Sequence, residues 1–120
     1  MSSEDFWLIA GPAAEGTLFT SFRDPSAEPG AAAILERARA RQVEPNYRVL
    51  YSYGAVQAWA AAVEKAGSLD LEAVGSSLRN HEFDTVLGRI RFDAKGDVIP
   101  AGFEWFVWTE GQFVPKDMTD

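Results

Sequence analysis

Few residues in this chain carry types that could do chemistry. His81 is the single histidine, and it stands beside Glu82 and near Asp84. Such a group could titrate near neutrality or give one metal ligand. One imidazole with scattered carboxylates is thin support for either role, and His81 reads as a helix-end or loop residue. A Ser/His/Asp triad would have to use it, with no surrounding motif to support that. No Gly-x-Ser-x-Gly elbow, phosphate loop or Gly-x-Gly-x-x-Gly fingerprint occurs. Asp93-Ala-Lys-Gly-Asp97 has a superficial likeness to a calcium loop. It lacks that loop's alternating oxygen ligands and terminal bidentate glutamate. Gly96 between aspartates suits a hairpin turn instead. The expectation is no catalytic residue, no metal site and no cofactor, and hence no enzymatic activity.

Two basic or aromatic groupings could bind rather than react. Arg37, Arg39 and Arg41 form a run that an anion could use, but Glu36 and Glu44 flank it and dilute its charge. A solvated helix face is the plainer reading. Tyr47, Tyr51 and Tyr53 cluster at the entry to a long helix. An apolar body with a polar tip suits the lip of a small-molecule pocket. Packing of the helix start onto a sheet would use the same residues. Tyr53 falls on the helix's apolar stripe and is expected in the core. Arg48 and Tyr51 fall off it and are the candidates for facing a cleft.

The elements that position these residues follow from period and punctuation. Phe6 to Ala10 makes a short helical turn ended by Gly11-Pro12. Glu15 to Ser21 holds the β-forming run Thr17-Leu-Phe-Thr-Ser. Ala31 to Gln42 reads as a helix with Ile34, Leu35 and Ala38 on one face. Val49 to Ala66 is the strongest helix, with Val49, Tyr53, Val56, Ala60 and Val63 as its inward stripe, widened by Trp59. Gly67 ends it. Asp70 caps a shorter helix with Leu71, Val74 and Leu78 turned inward. Beyond Asn80 the period becomes two: Val86, Gly88, Ile90 and Phe92 alternate with Thr85, Arg89 and Arg91. Phe103 to Thr109 is a second strand with aromatics on both faces, so both faces are expected to be covered. Glu110-Gly111 reverses it into Gln112-Phe-Val114.

The composition bounds the rest. With 120 residues, 47% hydrophobic and 24% charged, the chain can hold one domain with a real core. Eleven basic residues against eighteen acidic give −7, which repels phosphate backbones and disfavours nucleic acid. No cysteine is present, so disulfides and thiol chemistry are excluded. No apolar run approaches the length that spans a bilayer. The start, Met-Ser-Ser-Glu-Asp, is acidic where a secretory signal would be basic and then apolar, so no signal peptide is expected in this chain.

Three segments resemble one family in order. Gly11-Pro-Ala-Ala-Glu-Gly-Thr-Leu-Phe-Thr20 is similar to a loop and strand of the Leu/Ile/Val-binding proteins of branched-chain amino acid ABC transporters. Leu50-Tyr-Ser-Tyr-Gly-Ala-Val-Gln-Ala-Trp59 resembles their "YxAVQ" helix start, with Gly54 where alanine is usual. Phe83-Asp-Thr-Val-Leu-Gly-Arg-Ile-Arg-Phe-Asp-Ala-Lys-Gly-Asp97 resembles their "DTVLGxIxFDxKGD" run, and Phe103 to Trp108 follows where they carry an aromatic strand. The resemblance spans roughly Phe6 to Pro115.

It implies an α/β fold, the terminal subdomain of a type I periplasmic binding protein, with three main helices on a small sheet and a β-rich C-terminus. The implied function is amino-acid binding for an ABC permease in the periplasm, by closure of two lobes on a ligand. Residues 1–120 would then form a single domain, the C-terminal portion of such a protein. Most ligand contacts would lie in a preceding part, leaving Arg48 and Tyr51 as the ligand-binding residues here. Family members often carry an aromatic or apolar residue near Arg48, so an arginine argues against recognition of an aliphatic side chain. A terminal portion alone would expose its aromatic strand, and an open strand edge recruits another chain. The expectation is a homodimer through the C-terminal aromatic strand. The alternative function is an interaction or sensory module that retains only this subdomain and acts through self-association.

Overall fold

The computed structural model describes residues 4–43 and 46–118. Glu44, part of the charge argument for the arginine run, and Met1–Ser3 of the acidic start lie outside them. The chain is α/β. Its elements are α1 (Glu4–Ala10), β1 (Leu18–Phe22), α2 (Ala31–Ala40), α3 (Tyr47–Ala66), α4 (Leu71–Asn80), β2 (Glu82–Thr85), β3 (Gly88–Phe92), β4 (Val98–Ile99), β5 (Phe103–Thr109) and β6 (Gln112–Pro115). No helix among the described residues is long and apolar enough to cross a membrane. Contacts divide the chain into two compact units, one of residues 24–101 and one formed by the two chain ends up to Arg23 and from Gly102.

The unit of the two ends is a three-stranded antiparallel sheet in the order β1–β5–β6. Alternation in β5 sends Phe106 and Trp108 to one face, where they join Phe19, Ala14 and the half-buried Phe6, Trp7 and Ala10. Trp108 is 1% exposed. Phe6 and Trp7 of α1 lie 5.8 and 5.9 Å from its ring. Glu15 ties the β5–β6 turn to this unit: its carboxylate accepts from Thr109 Oγ1 at 3.0 Å and from the Glu110 N–H at 2.9 Å. The turn needs left-handed backbone at both centres, φ 50° at Glu110 and 81° at Gly111, which matches the twist of the flanking strands. The other face of the sheet departs from expectation. Phe103 is 59% and Trp105 44% exposed, with Leu18 and Phe22 also open. They form one row because register sets Phe22 opposite Phe103 and Leu18 opposite Val107.

The central unit packs α2, α3 and α4 with a second antiparallel sheet, β2–β3–β4. The long helix starts and stops where its caps dictate. Asn46 accepts from the Arg48 N–H, and Gly67 takes left-handed φ of 61° at the other end. Asp70 accepts from the Glu72 and Ala73 N–H groups to start α4. The inward face of α3, however, is Leu50, Gly54, Ala58 and Ala62. The middle of the valine–tyrosine stripe lies outward, with Val56 62%, Trp59 51% and Tyr53 38% exposed, while Val49 is half-buried and Val63 packs against the core. Tyr53 is therefore not a core residue. Small residues win the inward face because they allow close approach: Leu87 fills the space that a side chain at Gly54 would need. Leu71 is likewise 86% exposed, while Val74 and the hydroxyl-bearing Ser77 are buried. The single alternating strand expected from Thr85 to Phe92 is the second half of a hairpin. β2 and β3 pair Phe83 with Ile90, and Val86-Leu87 form the turn.

Candidate functional site

The entry to α3 brings together most of the residues that could bind. Asn46 has extended backbone, and its side-chain oxygen accepts from the Arg48 N–H at 3.0 Å. That fixes the first turn, from which Tyr47 and Arg48 project, with Tyr51 one turn further on. Tyr51 meets Tyr47 edge-on with ring centroids 6.4 Å apart. The Arg48 guanidinium lies over the Tyr47 ring at 4.9 Å from its centroid, within the range of a cation–π contact. Arg48 is exposed, and Tyr51 is half-buried.

Beside this turn lies an open recess of about 630 Å³. Its walls are Val43, Val49, Val56 and Tyr53, with polar groups from Asn46, Arg48 and Ser52. Arg48 therefore lines the recess. Tyr51 does not; its ring meets that of Tyr47, over which the Arg48 guanidinium lies. Tyr53, expected in the core, lines the recess instead. Asn46 and Ser52 were missed. Asn46 had a signal, since an asparagine just ahead of a helical run is a cap. Ser52 had one in its spacing, four residues beyond Arg48 and so on the same face.

The other candidates stay apart from this place. His81 ends α4, with Nδ1 3.0 Å from the Ser77 carbonyl oxygen. No group of three or more potential metal ligands occurs among the described residues. Asp93 accepts from the N–H groups of Lys95, Gly96 and Asp97 through one oxygen, at 2.8–2.9 Å. These bonds, that from Asp97 foremost, hold its carboxyl below the ordinary range despite some desolvation. Its acceptor capacity goes to closing the β3–β4 turn. Arg89 pairs with Asp84 across the hairpin at 2.9 Å, and that contact raises the arginine further. Both side chains are mostly exposed, so the pair sets register rather than stability.

With this geometry, the chain's likenesses are specific. Residues 1–107 match the family model described as periplasmic binding protein. A Leu/Ile/Val-binding protein homolog from Brucella suis is 40% identical over 110 residues, 91% of this chain and 30% of that protein. A leucine-binding protein from Thermotoga maritima superposes with a TM-score of 0.69 at 27% identity, over 97% of this chain and 34% of its own. A substrate-binding protein of an ABC transporter from Desulfitobacterium hafniense, solved with Leu, gives 0.59 at 26% identity, over 86% of this chain and 32% of its own. The chain thus spans about a third of the length of the relatives it matches. Two small sheets with four helices, the Tyr53–Gln57 helix segment and the Phe83–Asp97 hairpin place the chain in the periplasmic binding protein family, whose members include the substrate-binding components of branched-chain amino acid transporters.

Proposed function

We propose that this chain serves solute binding in a branched-chain amino acid type ABC transport system. Its place of action is the periplasm, its partners are an amino acid or related small molecule and an ABC permease, and its role is non-catalytic. The observation that supports this reading is the Arg48 recess at the start of α3. It joins an apolar wall to a few convergent polar groups, the usual make-up of a small-ligand site. Of the two residues expected to bind ligand, Arg48 faces it, and Tyr51 supports Arg48 by bracing the ring on which the guanidinium rests.

Ligand binding raises the melting temperature in proportion to how far ligand concentration exceeds Kd. The test is a thermal-shift and calorimetry panel of the amino acids. A shift with leucine, isoleucine, valine or another member of the panel, reduced by R48A, supports the reading. No response across the panel overturns it.

A second reading, an interaction or sensory module that self-associates, is favoured by the open row Leu18, Phe22, Phe103 and Trp105. The Phe22 and Phe103 rings stack at 4.6 Å, which makes that row a rigid apolar surface. Such a patch suits a second copy, giving a homodimer through the aromatic strand. Light scattering after size exclusion decides it: a monomer at micromolar concentration excludes this reading.

A further inference from the structure

The surface between α2 and α3 combines an apolar floor with a cationic rim. The floor is Val43, Val49, Tyr53 and Val56, of which Val43 is 47% and Val56 62% exposed. A smaller recess of about 230 Å³ shares Val43, Val49 and Tyr53 with the larger one, so the two form one groove. Arg37 on α2 and Arg41, the C-cap of that helix, line its far end, and Arg48 lines the near end. Residues 37–48 hold four of the chain's eleven basic residues, although the chain carries −7 overall. Among the described residues no ion pair engages Arg37, Arg41 or Arg48.

Depth decides what such a groove can hold. A small ligand is held by a pocket that removes most of its surface from water. A small ligand at the Arg48 end would cover only part of the floor, and the strip that runs on to Arg37 and Arg41 would stay open. A polypeptide segment suits an open strip, because an amphipathic helix can lay a row of apolar side chains along it. The rim then selects the sign of the flanking charges, since guanidinium groups form their strongest hydrogen bonds with carboxylates.

We propose that this groove docks an acidic amphipathic segment of a partner protein. Aliphatic side chains of the segment cover Val43, Val49, Tyr53 and Val56, and its carboxylates meet Arg37, Arg41 and Arg48. The rim governs encounter rate and salt dependence, and the floor governs residence time.

Fluorescence anisotropy tests this with the full chain and a labelled helical peptide that carries a leucine stripe flanked by glutamates. Binding is expected to weaken about tenfold in R37E/R41E and in V56D, as loss of central contacts does, and to weaken with added salt. It is expected to persist in R79E, whose site lies on α4 outside the groove. Replacing the peptide's glutamates by lysine is expected to abolish binding. No binding, or equal binding to R37E/R41E, overturns the proposal. So does preferential capture of anionic vesicles, which would make the groove a membrane contact. Self-association of the free chain that disappears in V56D would assign the groove to a second copy and overturn it as well.

Discussion

The N–H of Val86 donates to the Gln57 side-chain oxygen at 2.8 Å, a bond that fastens the β2–β3 turn to the middle of α3. Val86 is 3% exposed, so water cannot replace this acceptor. Removing one partner of a buried hydrogen bond leaves the other's desolvation uncompensated, at about 1–3 kcal/mol. Q57L is therefore expected to lower stability by that amount in urea denaturation, although leucine suits a helix well. Q57E keeps an oxygen in place and is expected to lose less. Equal losses in the two would show that the bond does not anchor the turn.

Gly54 makes the neighbouring contact. A Cβ at that position would sit 2.8 Å from Leu87 Cγ and 2.9 Å from Cδ1. Alanine gains about 1 kcal/mol of helix propensity over glycine, whereas overpacking costs about 1–3 kcal/mol. The branch point of Leu87 is involved, not just its tip, so the clash is expected to win. G54A should be destabilising by about 1 kcal/mol net in a urea melt. In an L87A background the same substitution should become stabilising, since only the propensity gain remains. The sign reversal is the result to look for, because a mutation that merely perturbs α3 would lower stability in both backgrounds.

Reading these elements from sequence succeeded where one residue type has one local role. Gly67 and Asp70 end and start helices through their own backbone and side-chain geometry, and Glu110-Gly111 turns a hairpin. It failed for the inward face of α3. Valine and tyrosine outrank glycine and alanine in hydrophobicity, but the face that packs is set by how closely α3 can approach its neighbours. Gly54, Ala58 and Ala62 permit that approach. The period-two pattern from Thr85 to Phe92 also concealed a hairpin, because Val86 in the turn is as buried as the strand residues Phe83 and Ile90. Arg48 was legible as a residue off the stripe. The recess beside it was not, because it depends on Tyr53 and Val56 pointing outward.

The β3–β4 turn is expected to respond to acid. Bonds from the Asp97, Gly96 and Lys95 N–H groups favour the charged form of Asp93, which lowers its pKa in the folded chain. A Lys95–Asp97 ion pair adds to the turn. The unfolded value is about 3.9. A lowered folded value means that the stabilisation is complete above the unfolded pKa and is lost as pH falls through the folded one. The amide resonances of residues 95–97 should therefore titrate together in NMR spectra, with a midpoint below that of a model aspartate. D93A should remove the titration and loosen the turn at every pH. A midpoint at or above the model value would contradict this assignment.

In the unit of the two chain ends, Gly111 has two reasons to be glycine, and they can be separated. Its φ of 81° is strained for an L side chain, at about 1–3 kcal/mol. A Cβ there would also lie 3.3 Å from the Trp7 ring, the ring that stacks on Trp108. Trp7 is only half-buried and can yield a few tenths of an ångström, so backbone strain is expected to dominate. Asparagine tolerates left-handed backbone better than alanine does. G111N should then be the milder substitution, and G111A should lose about 1–3 kcal/mol in thermal denaturation followed by circular dichroism. If the Trp7 contact governed instead, asparagine would be at least as damaging as alanine, and W7A would rescue both. Under the backbone account W7A rescues neither, and it adds its own loss by uncovering Trp108.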